Sequence, residues 1–309
     1  MKGNNKTMTE ETYNITEMMI RNRENMQPKV LFSVVIDCSP SMENIDKNTG
    51  EPRWQRVEKA LTQLVESLKK QHEAKRRIDI SYTLFDEEVF KHVPFHSIAE
   101  TNVPAIKPNR GSRGTNYTNA LNKALDDIQE YREAVEESEG QLYNDSYLLF
   151  YTDGLANETE MLAREALTPG FNRNNNDTYN EYKKYFNYYE PHWKKLEERM
   201  QAEQSKKTGR IFFLPVLTGV EQGMRVPGDN GTEIYKPSID EYAVYQLAKT
   251  ETAGNLKFKL MKHADDDLEE YFQWVSKSLT TVSQSQPGNN DGTNNIEIQG
   301  KDIIQLEFS

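Results

Sequence analysis

The segment that most restricts how this chain can fold is the apolar run KVLFSVVID, from Lys29 to Asp37, which breaks off abruptly into Asp37-Cys38-Ser39-Pro40-Ser41. A near-continuous Val-rich run of this length fits a strand buried on both faces of a parallel sheet. Such a strand needs neighbours on either side and helices above and below it.

The rest of the chain supplies them. After Pro52, a good first-turn residue, Trp54, Val57, Leu61, Leu64, Val65 and Leu68 recur at helical spacing and mark one apolar face. RIDISYTLF (Arg77 to Phe85) alternates as a strand, and Val89 to Val93 can pair with it across Asp86-Glu87-Glu88. Leu121, Ala124, Leu125, Ile128 and Tyr131 define a second helix. Further strands are expected at Ser146 to Thr152, Arg210 to Leu217 and, more briefly, Leu256 to Met261. A last helix carries Leu268, Tyr271, Phe272, Val275 and Leu279 on one face. Strands alternating with helices are βαβ units, so the expected class is α/β: an open, doubly wound, mostly parallel sheet with helices on both faces.

The domain is expected over residues 29–280, preceded by a polar extension at 1–28 and followed by a linker and terminal segment at 281–309. Two stretches exceed a minimal version of the fold, about 171–209 and 222–250. In the first, FNRNNNDTYNEYKKYFNYYE holds six Asn and five Tyr, yet Tyr182, Phe186, Tyr189, Trp193, Leu196 and Met200 form a helical stripe, with Pro191 as a kink or restart. Core packing is its expected role, an aromatic contact surface the alternative. Residues 222–240, rich in Gly and Pro, read as a long irregular loop. IEIQGKDIIQLEF at the end alternates about Gly300 and reads as a terminal hairpin or a strand added to a sheet edge.

Composition removes several functions. The 38 Lys and Arg against 49 Asp and Glu give a formal charge of −11, which argues against nucleic acid as a partner, because phosphate must be met by cations. The one clustered basic run, Lys75-Arg76-Arg77, reads as the solvated end of a helix. The single Cys38 excludes a disulfide framework and any multi-thiolate metal site. It is expected to be a small buried filler rather than a nucleophile. No stretch is apolar over the ~18 to 20 residues a membrane helix needs, so no membrane partner is expected. The first 28 residues lack an apolar signal core, so a cytoplasmic location is expected. The five histidines offer no metal-binding helical pair, since Pro94 separates His92 from His96. The acidic run Asp265, Asp266, Asp267, Glu269 and Glu270 suits the start of a helix, with docking of a basic partner as the alternative. No glycine loop for nucleotides is present.

The chemistry lies where the strands end. Asp37, Ser39 and Ser41 follow the first strand, Gly114-Thr115-Asn116 precedes the second long helix, and Thr152-Asp153-Gly154 closes a later strand. All three groups fall on the carboxyl rim of the expected sheet, where open α/β folds bind ligands. Each residue has a plain structural reading as a cap or turn residue. Together, two carboxylates and three hydroxyls suit a hard divalent cation and offer nothing to zinc or copper. If Ser39, Ser41 and Thr115 bind directly while Asp37 and Asp153 act through waters or hydroxyls, the ion faces mostly neutral ligands and stays electrophilic. It then demands an anionic ligand from outside.

D-x-S-x-S, then Gly-Thr, then a hydrophobic strand closing in T-D-G resembles the metal-ion-dependent adhesion site of von Willebrand factor A domains, with Asp37, Ser39, Ser41, Thr115 and Asp153 at the matching positions. The resemblance spans about residues 29–280. It implies Mg²⁺, or Mn²⁺, held by these five residues, and a protein partner supplying an Asp or Glu carboxylate. It also implies a binding module without catalytic activity or catalytic residues. Pro40 stands where many members carry Gly. The ending around Asp265 to Leu279, FQWVSKSL above all, resembles intracellular bacterial A-domain proteins of tellurite resistance and stress response, which accompany protein kinases and phosphatases. Docking onto an AAA+ ATPase is the alternative. A magnesium-dependent phosphatase of the haloacid dehalogenase type also begins with an Asp at a strand end. That chemistry needs an acid two positions on, where this chain has Ser39.

Overall fold

The structure is a computed structural model describing residues 29–46, 49–112, 114–139, 143–153, 191–206, 209–219, 224–227, 233–236, 244, 247, 256–258, 264–284 and 304–306. Five strands form the main sheet: β1 (Lys29–Asp37), β2 (Ile78–Phe85), β3 (Val89–Ser97), β4 (Tyr143–Thr152) and β5 (Ile211–Leu217), in the order β3-β2-β1-β4-β5. β2, β1, β4 and β5 run parallel, and β3 closes one edge antiparallel to β2. The helices are α1 (Arg53–Lys70), α2 (His72–Arg77), α3 (Tyr117–Glu139), α4 (Pro191–Gln204) and α5 (Ala264–Gln284).

The alternation of β1 explains how both faces are covered. Val30, Phe32, Val34 and Ile36 pack with Val57, Leu61, Leu64 and Leu68 of α1 and with Leu268, Phe272, Val275 and Leu279 of α5. Leu31 and Val35 point the other way, into Leu121, Leu125 and Ile128 of α3 and Leu196 and Met200 of α4. A strand in the middle of five therefore has no polar face to offer, which is why its sequence is a run rather than an alternation. Even Ser33 is turned inward, accepting a hydrogen bond from Ser81 at 3.1 Å. The expected sheet, and helices on both faces, are present.

Some local expectations need correction. Residues 222–240 are not wholly irregular: β6 (Met224–Pro227) and β7 (Glu233–Lys236) pair antiparallel, with Pro227 at the end of its strand, where a missing N–H is tolerated. The glycines that suggested a loop lie between those strands and just before them. Of the strand expected at Leu256 to Met261, the described residues form β8 (Leu256–Phe258), which lies outside the main sheet and pairs with β9 (Ile304–Leu306). Of the final segment, Ile304–Leu306 is described as β9, while Ile296 and the residues around Gly300, on which the hairpin reading rests, lie outside the described residues. Of the basic run, Arg77 is not solvated: it is 7% exposed, donates to the carbonyl of Ser283 and pairs with Glu73 at 3.2 Å. In the aromatic stripe, Leu196 and Met200 are buried as core; Tyr182, Phe186 and Tyr189 lie outside the described residues. Among the described residues no helix is long and apolar enough to cross a membrane.

Candidate metal centre

The strand order places β1 and β4 side by side, with β2 next to β1 and β5 next to β4. Chain connections therefore leave β1 and β4 in opposite directions across the sheet, which opens a crevice at their carboxyl ends. Asp37 ends β1, and Asp153 follows β4 directly. The two carboxylates, distant in sequence, are thus delivered to one place by topology alone.

Short hydrogen bonds join the predicted residues. Ser39 N–H donates to Asp37 Oδ1 at 2.7 Å, and Thr152 Oγ1 donates to Asp37 Oδ2 at 2.7 Å. Ser41 Oγ donates to Asp153 Oδ1 at 2.7 Å, and the Ser39 and Ser41 hydroxyl oxygens lie 2.9 Å apart. Because Ser41 gives its proton to Asp153, the Ser39 hydroxyl is the donor between the two serines. Both oxygens then keep lone pairs for a cation. Adjacent oxygens around an octahedral Mg²⁺ at ~2.1 Å stand ~3.0 Å apart, so the serine pair has the spacing of two neighbouring ligands. The donor set is all oxygen. It fits a hard divalent ion, which Ser39 and Ser41 could hold directly while the carboxylates aim their oxygens.

Thr115 is 3% exposed, and its segment is tied to the same rim. The neighbouring Asn116 N–H donates to the carbonyl of Asp86 at 2.7 Å, and Asp86 follows Phe85, which pairs with Asp37 in the sheet. Thr115 is not a member of the Asp37–Ser39–Ser41–Asp153 hydrogen-bonded set. Gly154 lies outside the described residues.

Burial decides the electrostatics. Asp37 is fully buried, and loss of water, followed by the charge of Asp153, pushes its carboxyl up to about 7 despite hydrogen bonds from Thr152 and Ser39. Burial also raises Asp153, opposed by Arg53 and Ser41. Desolvation pushes the Cys38 thiol up as well, and its Sγ–H is directed at the Ile36 carbonyl at 3.8 Å. A buried, neutral thiol is the expected filler and no nucleophile.

Three residues that sequence reasoning passed over hold the rim together. Arg53, the first residue of α1, puts Nη1 2.6 Å from Asp153 Oδ2. Asp86, read only as a turn residue, is 2% exposed and accepts from Glu88 N–H at 3.0 Å and from Asn109 Nδ2 at 2.9 Å. The Asn109 N–H in turn donates to the Cys38 carbonyl at 2.9 Å, lacing the segment before Thr115 to the end of β1. Asp86 was open to the same reasoning that found Asp37, since it too follows a buried strand. Arg53 also carried a signal: a cation in the first turn opposes the helix dipole and needs another reason to be there.

Beneath the rim, Tyr117 opens α3 and fills the core against Phe150 (4.8 Å between ring centroids, edge-on) and Phe85 (6.2 Å). Its hydroxyl lies 3.0 Å from Thr152 Oγ1. Since Thr152 donates to Asp37, Tyr117 must donate to Thr152, and the three residues form one directed relay.

Residues 32–155 match the sequence profile of the von Willebrand factor type A domain, and the mostly parallel sheet with helices on both faces is of that Rossmann-like type. Among solved structures, the vWF domain of the type V pili tip protein Mfa5 from Porphyromonas gingivalis is similar at 19% identity and a TM-score of 0.31, over 42% of this chain and 39% of that one. The PilB minor pilin from Streptococcus sanguinis is similar at 15% identity and a TM-score of 0.43, over 83% of this chain and 62% of that one. Proximal thread matrix protein 1 from the mussel byssus, with a zinc occupied MIDAS motif, is similar at 11% identity and a TM-score of 0.37, over 84% of this chain and 46% of that one. The chain thus spans less than two thirds of each of these proteins. No curated protein matches it.

Proposed function

We propose that this chain is a divalent-cation-dependent protein-interaction module. Ser39, Ser41 and Thr115 hold Mg²⁺ or Mn²⁺, Asp37 and Asp153 orient hydroxyls and waters around it, and a carboxylate from a partner protein completes the shell. The observation that carries this reading is the linkage of Asp37, Ser39, Ser41 and Asp153 at the β1–β4 crevice, with the two serine oxygens 2.9 Å apart. The von Willebrand A match over 32–155 agrees with an interaction or adhesion role.

A bound cation supplies Lewis acidity toward an external carboxylate. The chain's own groups do the rest. The Asp37 and Asp153 carboxylates take up the serine N–H and O–H protons, which turns oxygen lone pairs outward, and Thr152 with Tyr117 keeps Asp37 in place. No residue is assigned a catalytic role, because position 39 carries a hydroxyl where phosphoryl-transfer chemistry of the related kind needs an acid. We assign the module to the cytoplasm and to a bacterial stress-response system of the tellurite-resistance kind, with a protein kinase or phosphatase as partner and an AAA+ ATPase as the alternative.

The test is affinity purification with the full chain and mass spectrometry, in Mg²⁺ and in chelator. Partners retained only in Mg²⁺, and lost with Asp37→Ala, are expected. Recovery of the same partners under all conditions would sink the mechanism.

A further inference from the structure

Resting on the proposed cation site, we propose that Arg53 sets its charge balance, giving up cation affinity so that the loaded site demands an anion. The Asp153 side chain is fully buried, and its Oδ2 receives the Arg53 guanidinium at 2.6 Å while Oδ1 receives Ser41. Asp37, equally buried, is matched only by the neutral donors Ser39 N–H and Thr152 among the described residues. With both carboxylates ionised, the state a bound cation stabilises, two carboxylates and one guanidinium leave the crevice with a single net negative charge. A divalent cation turns this into a single positive charge, which one incoming carboxylate neutralises. Without Arg53, the cation alone would balance the two aspartates, and the anion would meet a neutral site. Asp86 and Lys91, of opposite sign, bear on the neighbouring Cys38, whereas the charge that bears on Asp37 is Asp153 and the one that bears on Asp153 is Arg53.

The seat of Arg53 is shaped for it. Its Nη2 faces the Gly219 carbonyl at 3.4 Å, and Gly219 has φ +62° with the guanidinium lying flat where a Cβ would sit. A Cβ at 219 would overlap the guanidinium and force it to shift. The loop leading into α1 is fixed in turn by the buried pair Arg56–Asp46 and by Arg53 N–H donating to the Asn44 carbonyl at 3.1 Å. A cation at a helix N-terminus is electrostatically disfavoured unless a stronger anion holds it, and here the anion is Asp153.

The experiment uses the full chain, with Mn²⁺ as the cation and acetate as the carboxylate probe, at constant ionic strength. In wild type, calorimetry should show Mn²⁺ uptake that acetate strengthens relative to chloride. Arg53→Gln should tighten Mn²⁺ binding ~tenfold and abolish the acetate effect, because the loaded site is then neutral. Arg53→Lys, which keeps the charge, should restore wild-type behaviour within ~threefold. Gly219→Ala, which displaces the guanidinium without removing it, should tighten Mn²⁺ in the same direction and provides an independent test if Arg53→Gln fails to fold. Weaker or unchanged Mn²⁺ binding in Arg53→Gln, or an Arg53→Lys variant that behaves like it, would overturn the charge-setting role while leaving the cation site standing. No Mn²⁺ uptake by wild type would overturn the cation site itself.

Discussion

The two ends of the central sheet treat a buried aspartate in opposite ways. At the amino end, Asp79 of β2 is 2% exposed and fully answered: Lys29 lies 2.9 Å from Oδ2, and the Tyr131 hydroxyl donates to it at 3.0 Å. At the carboxyl end, Asp37 of the adjacent strand is just as buried, yet its partners are an amide and a hydroxyl, and the charge that bears on it is a second carboxylate. The first arrangement is closed. The second resists ionisation: burial and the neighbouring carboxylate hold the Asp37 proton up to about 7, and a cation supplied from outside would favour its release. What separates a ligand site from a structural ion pair is therefore not buried polarity but the sign left over when the neighbours are counted.

Four experiments can break or sharpen that contrast. The largest effect is expected for Asp37→Ala, which should weaken Mg²⁺ uptake by roughly 100-fold or more in calorimetry while leaving metal-free stability unchanged or raised. A loss of metal-free stability matching that of an Asp79 variant would erase the difference between the two ends.

The next effect is a pH dependence. Asp37 has a folded pKa of about 7, raised above its unfolded value by burial and by Asp153, so its contribution to stability is full below the unfolded value and is lost as pH rises through the folded one. The unfolding free energy of the metal-free protein, measured in urea, should therefore fall by about 2 kcal/mol as pH is raised from ~5 to ~8. Saturating Mg²⁺ should flatten the trend, because it stabilises the ionised form. A metal-free stability that rises over this range would show that Asp37 is not held in the raised state.

Asp79→Ala should cost about 1–3 kcal/mol in urea unfolding, by stranding Lys29 and Tyr131, and change Mg²⁺ affinity by less than ~twofold. The smallest effect belongs to Asp86→Ala, which frees the segment carrying Thr115 and should weaken Mg²⁺ binding ~tenfold, with the circular dichroism spectrum unchanged. Wild-type Mg²⁺ affinity in that variant would remove Thr115's tether from the account.

The architecture was legible wherever a segment's pattern was set by its own burial. β1 is a run because both its faces are covered, and α1 is periodic because one face meets the sheet. The serines and aspartates of the rim were legible too, because strand ends are fixed by chain order. Arg53 and Asp86 were legible only as oddities, a cation in a first helical turn and a carboxylate after a buried strand; their partners were not, since those depend on which loop lies across from them. Nothing local to Pro52-Arg53-Trp54 states that Asp153 will be adjacent. The β6–β7 pairing was missed because its flanking glycines and prolines dominate the composition, and the pairing of Leu256–Phe258 with Ile304–Leu306 because the partners lie far apart along the chain.

The relay from Tyr117 through Thr152 to Asp37 fastens the rim to the aromatic interior. Ion capture and interior order are then two readings of a single equilibrium. A captured ion should slow amide exchange along β4 and at the start of α3, and a substitution that loosens Phe150 should cost affinity at a crevice it never touches. At the proposed site, the tyrosine would make the strength of the grip on a metal a gauge of how well the protein's centre is packed.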